Sequence, residues 1–92
     1  MANTNVEVEI LHPRGGSSDP SRYITGYKNG FTKNAQNDTI TVTNAAEIEL
    51  ADMQIGDAHE HETYTIEDNV ITMTSENTGT VKLKIVFKAP IV

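Results

Sequence analysis

The chain has 92 residues, a net charge of −6, no Cys, no Trp and five Tyr plus Phe. That length suits one small domain, 1–92, and leaves no room for a second cofactor domain. Without Cys there is no disulfide, thiolate zinc site, iron–sulfur cluster or cysteine nucleophile, and seven Lys plus Arg against thirteen Asp plus Glu argue against a nucleic-acid-coating surface.

The opening segment 1–5 is polar and lacks both a basic n-region and an apolar h-region, so it reads as an arm and not as a secretory signal. Apolar runs of two or three residues, such as Ile85-Val86-Phe87, exclude a membrane-spanning helix. Period-two alternation starts with Val6, Val8 and Ile10 against Glu7 and Glu9, which predicts one half-buried strand with an acidic outer face. Residues 12–22 carry Pro13, Gly15, Gly16, Ser17, Ser18, Pro20 and Ser21, a composition that supports only a loop.

Tyr23, Thr25 and Tyr27 share one face of a strand, and Asn29-Gly30 follows directly. That dipeptide suits a type I′ turn, whose two central residues need positive φ, so a hairpin with a short return strand through Phe31 and Thr32 is expected. Thr39 to Thr43 is β-branched throughout and reads as strand. The sequon Asn37-Asp38-Thr39 is read as a chance occurrence. Residues 44–55 are ambiguous. Asn44 with Glu47 resembles a capping box, yet Glu47-Ile48-Glu49-Leu50 alternates strictly, so strand is favoured over a single helical turn.

The last third alternates most clearly. Residues 62–67, a turn at Asp68-Asn69, 70–74, a second turn and the Val81, Leu83, Ile85, Phe87 series predict a three-stranded antiparallel meander stopped by Pro90. About seven short strands with frequent turns make the expected fold all-β, a small antiparallel sandwich with a loop at 12–22 and an apolar tail at 89–92. No internal repeat is evident.

Charge is segregated along the chain: residues 45–69 hold eight acids and no Lys or Arg, whereas 80–92 hold Lys82, Lys84 and Lys88 and no acid. Either these are solvated faces that keep edge strands from mispairing, or they pack charge against charge between copies. His59 and His61, with Asp57, would share one face of a strand and form a conceivable two-His-one-carboxylate set for a divalent metal; the competing reading is a polar surface loop. No other cofactor is suggested. Arg14-Gly15-Gly16 lacks a phosphate-loop lysine and is read as an ordinary flexible loop, whose length and exposure also suit contact with a neighbouring subunit. Tyr23 and Tyr27 form either a core edge or a two-ring strip for a glycan, and Ile91-Val92 either folds back or docks into a partner by strand addition. The serines lie in turns without a nucleophile-elbow pattern, and the Glu7/Glu9 and Glu47/Glu49 pairs sit on outward faces where both carboxyls ionise, so no enzyme is expected.

Tyr64-Thr65-Ile66-Glu67-Asp68-Asn69-Val70-Ile71-Thr72-Met73, followed by Gly79-Thr80-Val81-Lys82-Leu83-Lys84-Ile85, resembles the closing strands of bacterial Ig-like modules. The Asn- and Thr-rich, Cys-free composition and the opening Met-Ala-Asn-Thr are similar to small structural proteins of tailed phages. The resemblance covers about a third of the chain and brings no catalytic residue with it. It implies an Ig-like sandwich in a virion, decorating a capsid or joining a tail, with capsid or tail proteins and copies of itself as partners and no nucleic acid or membrane. The alternatives are an extracellular module that binds glycan or cell surface, and a metal-binding β domain, extracellular or cytoplasmic.

Overall fold

Alternating apolar residues can be buried only if each strand turns one face inward and finds a second sheet to cover it. The structure, a computed structural model, describes residues 2–11, 23–56 and 60–88 and meets that demand with nine strands and no helix among them. In chain order these are β1 (Asn3–Val6), β2 (Glu9–Leu11), β3 (Tyr23–Lys33), β4 (Thr39–Val42), β5 (Glu47–Ile55), β6 (Glu60–His61), β7 (Tyr64–Glu67), β8 (Val70–Met73) and β9 (Gly79–Lys88). They form a four-stranded sheet, β1-β4-β8-β7, and a five-stranded sheet, β2-β3-β9-β5-β6. Every pairing is antiparallel except β1 with β4. One apolar cluster joins the two sheets: Val6, Ile40, Val42, Ile71 and Met73 from the first meet Phe31, Ile48, Met53, Val81, Leu83, Ile85 and Phe87 from the second. The fold is the expected all-β sandwich.

Several local expectations change. The segment 1–5 is not simply an arm, because residues 3–5 belong to β1. Its parallel seat on β4 is fixed by Asn3, whose Oδ1 accepts from the Thr39 and Thr41 hydroxyls at 2.8 and 3.1 Å. The single strand predicted over 6–10 is two strands in two sheets. At the crossover the Asn44 side chain replaces a strand partner for Val8: Val8 N–H donates to Asn44 Oδ1 at 3.1 Å, and Asn44 Nδ2 donates to Val8 O at 2.9 Å. Both backbone groups are thus satisfied while the chain changes sheets.

Asn29-Gly30 does not make a hairpin. β3 continues through it to Lys33, and the register against β9 slips between Asn29 and Phe31. Gly30, at φ 92°, supplies its positive φ to a β-bulge instead of a turn. Nor do the last strands form a meander. β7 and β8 pair as predicted, with Asp68 at φ 54° in their turn, but β9 crosses to the other sheet and lies between β3 and β5. Its residues Val81, Leu83, Ile85 and Phe87 are all buried, and a central position is what pairs both backbone edges of so apolar a strand. Residues 47–55 are strand, as favoured, without a helical turn.

A candidate interaction face and the ion pair beneath the sandwich

The outer face of the five-stranded sheet is built in rows across β9. Tyr27, Lys84 and Asp52 stand in one row, with Glu9 beyond Tyr27; Lys82 and Gln54 stand in the next, with His61 beyond Gln54. On the other side Thr25, Val86 and Leu50 make an apolar row, and beyond it Lys88 stands opposite Glu47. The basic last strand therefore lies against the acidic segment within one chain. Lys28, Lys82, Lys84 and Lys88 all belong to β3 and β9, and Lys33 is buried, so every solvent-facing cation among the described residues is on this sheet.

Leu50 is the unexpected member. Strict alternation would point Ile48 and Leu50 the same way, into the core. The register against β9 slips between them, so Glu49 is an extra residue; Ile48 and Ala51 face inward and Leu50 turns outward, 57% exposed. A bulge re-aims a side chain by this mechanism. Beside it, Tyr27, Lys28, Asp52, Gln54, Lys82 and Lys84 line an open depression of about 260 Å³. The Tyr27 hydroxyl donates to the Glu9 carboxylate, and that hydrogen bond, with the carboxylate's negative charge behind it, raises the phenol above its ordinary pKa. Asp52 Oδ1 lies 3.5 Å from His61 Nδ1. Among the described residues neither Lys82 nor Lys84 has a carboxylate within ion-pair distance, which leaves two ammonium groups free to meet acceptors from outside.

On the inner side, sequence reasoning missed a closed polar cluster. Lys33 Nζ lies 2.9 Å from Glu62 Oε2, and both side chains are fully shielded from solvent. Nζ also donates to the carbonyl oxygen of Ser75 and to its Oγ at 3.1 Å, and Ser75 N–H donates to Glu62 Oε1 at 2.9 Å. Parity could have revealed it: Lys33 follows Phe31 at the core spacing, and Glu62 precedes Tyr64 and Ile66 at theirs. Burial alone would raise the Glu62 pKa, but the hydrogen bonds from Lys33 and Ser75 and the Lys33 charge outweigh it and hold the carboxyl below its ordinary value. Asp38 is a second anchored carboxylate. It accepts from the backbone N–H groups of Ala2, Asn34 and Ala35, each at 3.0 Å, and these bonds lower its pKa.

The lowered values predict an acid limit to stability. A carboxyl whose folded pKa lies below its unfolded value contributes stability that is complete above the unfolded value, about 4, and is lost as pH falls through the folded one. Melting followed by circular dichroism at stepped pH is expected to be flat near neutrality and to fall below about pH 4. Asp38→Asn and Glu62→Gln are each expected to flatten that fall. An acid limb as steep in both variants as in the parent would contradict the assignment.

Of the residues singled out from sequence, Tyr27 and His61 stand on the five-stranded sheet, on strands at opposite sides of β9. Arg14, Gly15, Gly16, Asp57, His59, Ile91, Val92 and the Tyr23 side chain lie outside the described residues. Among the described residues no group of three or more His, Asp or Glu side chains is arranged to hold a metal. Compared with protein families, with curated proteins and with solved structures, the chain matches none.

Proposed function

We propose that this chain is a non-enzymatic interaction module, a rigid sandwich that attaches to neighbouring protein subunits through the outer face of its five-stranded sheet. Leu50 carries the reading. A bulge turns this large apolar side chain away from the core and sets it beside Val86, in a row flanked by lysines. An apolar anchor within a polar surround is the usual anatomy of a binding hot spot. In keeping with the Asn/Thr-rich, Cys-free composition and the Ig-like resemblance of residues 64–85, the setting we propose is a tailed-phage virion, with the module on a capsid or tail surface. There, repetition on a lattice makes weak single contacts sufficient.

The test is co-sedimentation of the purified chain with particles lacking it, together with its native mass. Leu50→Asp is expected to leave the unfolding midpoint within about 0.5 kcal/mol of the parent, because the site is exposed. It is also expected to weaken attachment about tenfold or more, as loss of an interface anchor does. Particles that bind neither protein, or both equally well, would sink the reading.

A further inference from the structure

The opposite side of the sandwich has the reverse character. On the outer face of the four-stranded sheet, Asn3, Thr39, Thr72 and Thr65 stand in register across all four strands, and Asn5, Thr41, Val70 and Glu67 form the row beside them. Thr63 and Thr74 extend the array, their hydroxyls 2.8 Å apart. Seven of these eight in-register side chains are uncharged, and Glu67 stands at a corner on the edge strand β7. In a chain with 22% charged residues and a net charge of −6, this face is nearly free of charge among the described residues.

We propose that this threonine–asparagine face packs against the same face of a second copy of the chain, in a weak two-fold contact. Charge selects the occupant. Two copies at −6 repel wherever acids face each other, and this face brings almost none to the contact. Its chemistry is self-complementary, because each threonine hydroxyl both donates and accepts and each methyl offers apolar area. The repeat, about 4.8 Å between strands and about 6.7 Å between alternate residues, is identical in the two copies, so their rows can interdigitate as stacked sheets do. The eight in-register positions span on the order of 300 Å² per copy by those spacings. That is well short of the roughly 1,200 Å² total of a stable complex, so the contact is weak alone and effective only where copies are held at high local concentration. It goes beyond the docking face proposed on the other sheet, and either can fail without the other.

Sedimentation velocity of the full chain across concentration and salt separates the two. Raising salt is expected to promote dimers by screening the like net charges, whereas a lysine-dependent contact weakens. Thr65→Lys with Thr72→Lys adds two positive charges and moves the net charge from −6 to −4. If overall repulsion alone governed association, that variant would associate more strongly. If the face is the contact, lysines meet lysines and association falls about tenfold or more. Leu50→Asp is expected to leave the dimer intact, and an unchanged unfolding midpoint for the lysine variant confirms that it folds. The proposal is overturned by a monomer at every concentration, by a dimer that Leu50→Asp abolishes and the lysines do not, or by a photo-crosslinker at Thr65 that joins only a different protein or a polysaccharide.

Discussion

Lys33→Met is expected to destabilise the domain by about 3–5 kcal/mol, the usual cost of leaving a buried charge without its partner. Its Nζ holds Glu62, the Ser75 carbonyl and the Ser75 hydroxyl together where no water reaches either charged side chain. Methionine fills much of the stem volume but leaves the carboxylate facing an apolar terminus. For a chain of this size the loss lowers the melting temperature by on the order of 20 °C. Glu62→Gln in the otherwise unchanged chain is expected to cost less, because an amide oxygen still accepts from Ser75 N–H. The double change Lys33→Met with Glu62→Leu is expected to recover part of the loss and no more: it removes both charges yet orphans the Ser75 N–H and carbonyl, at about 1–3 kcal/mol for each unsatisfied group. Urea unfolding of the parent and the three variants measures each cost. A single change at Lys33 that costs under about 1 kcal/mol would show that water reaches the pair in solution.

This cluster also shows where sequence reading ends. Alternation made β4, β5, β7, β8 and β9 legible because every second residue in them answers to the same core. What alternation cannot give is the partner of each strand. Asn29-Gly30 offers a positive φ, and a bulge in a long strand uses that as readily as a two-residue turn; the choice rests with β9, which pairs with β3 on both sides of Gly30. The meander failed for the same reason, since pairing neighbours in sequence is a tendency and β9 is more fully buried between β3 and β5. Alternation marks Leu50 as a strand residue but not as an exposed one, because an extra residue at Glu49 exists only relative to the strand opposite. Lys33 and Glu62 lie 29 positions apart: parity sets each on a core-facing position, but alternation within either segment cannot show that the two meet.

The two outer faces were legible to different degrees. The lysine row and the acidic 45–69 stretch were visible as segregated charge, and the register now sets Lys84 opposite Asp52 and Lys88 opposite Glu47. The threonine array was not visible, although Thr39, Thr41, Thr65 and Thr72 each sit in a clear alternation. Its rows appear only once β1 is placed parallel to β4 and β8 between β4 and β7. The two faces thus differ in character: one is charged around an apolar side chain, and the other carries Glu67 alone among its eight in-register positions.

Phe87→Ala is expected to be the costliest truncation in the core, about 3–5 kcal/mol. The ring is fully buried on β9, in register with Ile24 on β3 and Ile48 on β5. It also explains Gly26. A Cβ at that position would stand 2.9 Å from Phe87 Cε1 and 2.7 Å from Val8 Cγ2, closer than carbon atoms approach, so a glycine is kept where a strand otherwise disfavours one. Gly26→Ala alone is therefore expected to cost about 1–3 kcal/mol by overpacking. In the Phe87→Ala background one of the two obstructing side chains is gone, and the added methyl enters the space the ring vacated. The same glycine change is expected to cost less there by at least about 0.5 kcal/mol, a coupling within reach of a double-mutant cycle. Strict additivity of the two changes in urea melts would mean that the ring and the Gly26 backbone do not touch. The tight crossing of Val8, Gly26 and Phe87 would then have to be redrawn, and with it the packing that seats β9 between β3 and β5.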